Sequence, residues 1–119
     1  MSRQDKGLIV FFGCNNLEET DRFYREIMGL SLDKDQGLCR IYNVDGGGRL
    51  GFCEHIKIIK AEKSPIITLV ADDVDALYKR LLSNNIKAKH PPARNLQFNI
   101  YHFFLEDPNG YTLEIQKFL

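Results

Sequence analysis

Apolar positions along the chain fall into two series that run through the same order of elements. Residues 7–14 form a continuous apolar run of strand length. Asn16 then offers a helix cap, and Glu19 three residues later completes a capping-box pattern. Thr20, Phe23, Tyr24 and Ile27 follow at i, i+3, i+4 and i+7, Met28 widens the stripe, and Gly29 stops the helix. Strands are expected at 30–35, 38–43 and 49–54, the last two joined through Gly46-Gly47-Gly48. The series restarts with an apolar strand at 66–71 and a second cap at Asp73. Val74, Leu77, Tyr78, Leu81 and Leu82 give the second helix its apolar face, which Asn84-Asn85 ends. Strands follow at 86–89, 98–105 and 111–118.

The last two strands carry the clearest local signal. Asp107-Pro108-Asn109-Gly110 is a turn in which Pro sets φ and Gly accepts the left-handed conformation. A loop of Pro108, Asn109 and Gly110 pairs Asp107 with Tyr111, and then Glu106/Thr112, Leu105/Leu113, Phe104/Glu114, Phe103/Ile115 and His102/Gln116. Alternation then puts Phe103, Leu105, Leu113 and Ile115 on one face. The other face carries Phe104, Glu114, His102 and Gln116, so a carboxylate lies beside an aromatic ring with an imidazole diagonal to it.

Laid over one another, Ile9 to Leu17 falls on Ile66 to Val74, and Leu50 and Phe52 fall on Leu113 and Ile115. Each half is a βαβββ unit too small to cover its own sheet. The expected fold is α+β: paired βαβββ modules forming a curved mixed sheet around a concave cavity, with helices outside. Module one spans about 7–55, a linker 56–65, and module two 66–118. The cavity is the expected binding site.

Composition narrows the functions. A chain of 119 residues makes one domain, and Lys plus Arg equals Asp plus Glu at 16 each. The balanced charge argues against nucleic-acid binding and against electrostatic attachment to membranes, and favours self-association, hence a homodimer. No apolar run approaches the ~18 residues of a membrane span and no signal-peptide core is present, so a cytoplasmic protein is expected. Cys14, Cys39 and Cys53 are odd in number and form no CxxC, and are expected as buried thiols. Gly46-Gly47-Gly48-Arg49-Leu50-Gly51 satisfies G-x-G-x-x-G but leads into a strand, where a dinucleotide site needs a helix N-terminus.

Leu17 with Phe23-Tyr24-Arg25-Glu26-Ile27-Met28-Gly29-Leu30 resembles the "DLxxSxxFYxxxLGL" segment of the vicinal-oxygen-chelate superfamily, the group of glyoxalase I, bleomycin-resistance proteins and extradiol dioxygenases. The stretch from Phe104 to Glu114 resembles its "FxDPDGxxxE" signature. The resemblance implies the paired-module fold and, in the enzymes of the group, a divalent metal held at four sheet positions. Carried over, those positions are Ile9, Gly51, Ile66 and Glu114. Only Glu114 can ligate, whereas Zn²⁺, Mn²⁺ or Fe²⁺ needs three or four N, O or S ligands. No metal ligand set and no other cofactor is therefore expected.

Glu114 is the sharpest candidate, as an acceptor for a ligand N–H or O–H or as a base; against this stands a carboxylate kept from metal-binding ancestry, facing water or Arg94. His102 reads as a ligand contact or a proton carrier paired with Glu114, since fosfomycin-resistance-like relatives place a substrate-contacting polar group there; a packing histidine is the competing reading. His55 and His90 lie in polar loops and are expected in solvent. Ile9, Phe11, Ile66, Thr68, Phe98 and Phe104 line the cavity if the family's positions face inward, with Arg40 and Tyr42 joining if their strand has the right phase. Arg94, after Pro91-Pro92, sits where relatives place a basic residue over the site, on a loop able to act as a lid. These residues suit a small organic ligand, apolar or aromatic, with one polar or cationic group for Glu114. The expected function is thus small-molecule binding without the family metal site. The alternative is a lyase, isomerase or transferase using Glu114 and His102 as acid and base, or a metal site completed by other residues.

Overall fold

The computed structural model describes residues 4–59 and 61–119. The chain divides into two compact units between Ile58 and Ile59. Each is a four-stranded mixed sheet with one main helix, in the order βαβββ. Among the described residues no helix is long and apolar enough to cross a membrane.

In the first unit β1 (Ile9–Gly13) runs parallel to β4 (Arg49–Cys53), which pairs antiparallel with β3 (Cys39–Asn43), and β3 with β2 (Ser31–Asp35). Asn16 caps α1 (Leu17–Asp21), its side chain accepting from the Glu19 N–H at 2.9 Å. The expected single helix changes character after Asp21: Arg22–Ile27 is a π-helical turn, with the Met28 N–H donating to the Phe23 carbonyl. The wider turn still buries Phe23, Tyr24, Ile27 and Met28, and Gly29 leaves it at φ 82°. Tyr24 stacks on Phe52 with ring centroids 4.4 Å apart, and Phe12 and Tyr42 flank them. This aromatic cluster is the packing between helix and sheet.

Two cysteines depart from expectation. Cys39 and Cys53 are directly paired on β3 and β4 and form a disulfide; Cys14 is buried outside it. Cysteine count and motif spacing carry no information on strand pairing, so the sequence pattern missed it. The three glycines 46–48 all have positive φ and turn the chain from β3 into β4, as a loose turn requires.

In the second unit β5 (Ile67–Val70) runs parallel to β8 (Thr112–Phe118), which pairs with β7 (Ile100–Glu106), and β7 with β6 (Ala93–Asn95). Asp73 caps α2 (Val74–Ser83) through the Ala76 N–H, and Asn85 follows the helix at φ 60°. The β7–β8 register is the predicted one at every pair. Asp107 holds the turn, its Oδ1 accepting from the Asn109 and Tyr111 N–H groups, both at 2.9 Å. Gly110 has φ 87°. Phe103, Leu105, Leu113 and Ile115 are fully buried, with the Tyr78 ring of α2 edge-on to Phe103 at 5.3 Å. The strand expected at 86–89 is only a bridge between Ala88 and Leu105; the edge strand β6 forms beyond Pro91-Pro92 instead. Prolines cannot donate to the ladder, so pairing resumes after them.

Candidate functional site

The face of the second sheet turned away from the buried leucines is where chemistry gathers. β-strand alternation and the hairpin register set His102, Phe104, Glu114 and Gln116 on it side by side. Glu114 is 7% exposed and His102 9%. His102 Nδ1 lies 2.6 Å from Glu114 Oε2, and the Thr68 hydroxyl donates to Glu114 Oε1 at 2.9 Å. Thr68 comes from β5, whose parallel register puts it level with Glu114. A carboxylate only accepts, so Nδ1 carries the proton of this bond and Nε2 is the nitrogen left for other partners when the ring is neutral. Each carboxylate oxygen has one bond to the protein and a second acceptor position remaining.

Around this pair is a cavity of about 490 Å³ lined by Asn95, Phe98, Ile100, His102, Phe104, Glu114, Gln116 and Phe118. Four aromatic or aliphatic side chains and four polar ones share the lining, apolar walls with convergent polar groups as in small-molecule sites. Phe98, 64% exposed, stands on the 96–99 connection between β6 and β7. Asn95 Oδ1 fixes that loop by accepting from the Gln97 and Phe98 N–H groups at 3.0 and 3.3 Å. The His90 ring, expected in solvent, is half-buried and meets His102 and Phe104 edge-on at 5.7 and 5.8 Å.

The expected site residues separate into distinct places. Glu114, His102, Phe104 and Phe98 line the cavity, and Thr68 is bonded to Glu114. Ile66 precedes β5 and is 53% exposed, outside the lining. Ile9 and Phe11 belong to the first sheet, on the face away from α1. Arg40 and Tyr42 are corrections. Their strand has the opposite phase: they are level with Phe52 and Leu50 on the helix side. Tyr42 is fully buried and donates to Asp21 at 2.6 Å, while Arg40 meets Glu18 at 2.7 Å and Asp21 at 3.7 Å. Arg25 completes this cluster with bonds of 2.6 to 3.2 Å to Asp21. Burial would raise the Asp21 carboxyl, but the hydrogen bonds and charges of Arg25, Tyr42 and Arg40 hold it below its ordinary value. The Tyr42 hydroxyl is pushed up by burial and by its bond to Asp21.

Arg94 is the third correction. It pairs with Tyr101 on β6 and β7, which puts it on the helix side; its neighbour Asn95 takes the position at the cavity. It sits in a strand, not on a loop over the site. Gln116, Ile100 and Phe118 were readable from alternation along the hairpin. Asn95 and His90 were not, since the prolines displaced the edge strand that sets their phase.

At the family's four metal positions only Glu114 carries a side chain that can ligate. Ile9 and Ile66 are aliphatic, and a Cβ on Gly51 would run into the Phe11 ring, so that space is already filled. Among the described residues, no third His, Cys, Asp or Glu joins Glu114 and His102 in a cluster of metal-binding size.

A family model described as Glyoxalase/Bleomycin resistance protein/Dioxygenase superfamily matches residues 9–115. Solved structures share the fold at low identity. A glyoxalase/bleomycin resistance protein/dioxygenase from Nocardioides superposes with a TM-score of 0.77 at 16% identity, covering 100% of this chain and 87% of that one. A lactoylglutathione lyase from Agrobacterium tumefaciens gives 0.76 at 19%, over 97% and 95%. An integron cassette protein from the Halifax Harbour sewage-outfall metagenome gives 0.78 at 24%, over 95% and 99%. No curated protein sequence matches the chain significantly.

Proposed function

The chain belongs to the glyoxalase/bleomycin resistance protein/dioxygenase superfamily, and from that premise we propose that it binds a small organic molecule in the cavity of its second unit, without the superfamily's metal. One observation carries the reading. A nearly buried carboxylate, Glu114, is held by His102 and Thr68 at the floor of an aromatic-walled cavity with acceptor capacity to spare. A ligand with an apolar or aromatic body can lie against Phe98, Phe104 and Phe118 while a cationic or N–H group meets Glu114.

Thermal denaturation with a panel of aromatic amines and amidines tests this. Saturable stabilisation is expected for at least one compound, because binding to the native state alone adds about 2.7 kcal/mol at a hundredfold excess over Kd. Glu114→Gln removes the charge but keeps the shape, and should weaken that compound about tenfold or more. A panel that stabilises the wild type and the variant equally would refute the role of Glu114.

The short His102–Glu114 bond favours a second reading, an acid–base enzyme in which Glu114 orients His102 and Nε2 exchanges a proton with substrate. Following a bound compound by NMR separates the two. A binder leaves it unchanged; an enzyme converts it, and His102→Asn stops the conversion while binding persists.

A further inference from the structure

Among the described residues one cluster of metal-competent groups stands out, in the first unit, and Glu114 is not part of it. Cys39 and Cys53 face each other across β3 and β4, with Cα atoms 4.1 Å apart. His55 follows two residues later in a turn closed by the Ile56 N–H on the Cys53 carbonyl, and its Nδ1 lies 3.9 Å from Cys39 Sγ. The ligand atoms of Cys39, Cys53 and His55 all lie within 4.8 Å of one another. Tetrahedral Zn²⁺ with its usual bond lengths sets ligand atoms about 3.5–3.8 Å apart, so the sulfur–nitrogen separation is already near the required value.

We propose that reduction of the Cys39–Cys53 disulfide opens a site for a thiophilic divalent cation of the Zn²⁺ type, held by the two thiolates and the His55 imidazole. The chemistry balances with a dithiol reductant, which gives two electrons and two protons and leaves as its own disulfide. Metal binding then releases the two thiol protons, and two thiolates neutralise the dication. Thiolate and imidazole donors suit Zn²⁺ over the oxygen-seeking cations.

The backbone keeps the thiols together after the S–S bond is cut. Gln36 N–H donates to the Cys39 carbonyl at 2.8 Å, Glu54 N–H to the Leu38 carbonyl at 2.9 Å, and Cys14 N–H to the Cys53 carbonyl at 3.0 Å. Gly13 lets the turn carrying His55 pack against the end of β1, since a Cβ there would strike the Ile56 carbonyl. A cavity of about 450 Å³ adjoins His55, lined also by Asn15, Glu54 and Lys57. His55 is exposed and Cys39 half-exposed, so water or a small anion can reach the fourth position, the arrangement of an open site.

Cobalt(II) titration of the full chain tests the site. Protein is reduced with excess dithiol, freed of it by anaerobic gel filtration, and compared with the disulfide form. Reduced protein should take up one Co²⁺ per chain with a thiolate-to-cobalt charge-transfer band and the ligand-field bands of a tetrahedral ion. The disulfide form should show neither. Cys39→Ser, at a half-exposed position, should lose the charge-transfer intensity, and His55→Gln, at an exposed one, should weaken cobalt about tenfold or more. Absence of the band in reduced wild type, or an unchanged affinity in His55→Gln, would overturn the proposal. Neither result touches Glu114, so the cavity reading stands or falls separately.

Discussion

Asp21 shows how one residue resists reading from sequence. In the pattern it is an ordinary polar position of the first helix; in the structure it is buried and accepts from Arg25 and Tyr42. Tyr42 was expected at a ligand only if its strand had the right phase, and the sequence of 38–43 does not by itself set that phase. Tyr42→Phe removes one bond to a charged acceptor and should cost about 1.5–3 kcal/mol in chemical denaturation. The pH dependence has a definite sign. Asp21 is depressed in the folded state, so its contribution is complete above the ordinary carboxyl value of 3.8 and disappears as pH falls through the lower folded value. Acid titration of stability should therefore be shallower in Asp21→Asn than in the wild type over that range.

At the scale of elements, local chemistry was most informative where a turn fixed the register. Asp107-Pro108-Asn109-Gly110 determined every pair of the β7–β8 hairpin, and with them the company of Glu114 and His102. Both helix caps were readable for the same reason, a side-chain acceptor at a fixed spacing. Elements that no local sequence signal marks were not: β6 beyond the prolines, the disulfide, and the π-helical turn after α1. Asp107→Ala leaves the Asn109 and Tyr111 N–H groups without their acceptor and should destabilise the protein by about 1–3 kcal/mol in urea. Cross-peaks between Phe104 and Glu114 backbone protons should persist in the variant's NMR spectrum, because the flanking side chains still specify the register.

For the whole molecule, the duplicated βαβββ order was legible from two apolar series, and the family model covers nearly the same stretch. Balanced charge extends the reading to assembly, where light scattering is expected to give twice the chain mass, with a monomer at all concentrations contradicting it. Ligand binding in the second unit's cavity is expected to need no metal. The direct measurement is calorimetric titration of a stabilising compound into disulfide-intact protein, before and after exhaustive chelation. Unchanged affinity after chelation, with loss in Glu114→Gln, is the predicted result. Binding that vanishes on chelation and returns with added divalent metal would contradict it.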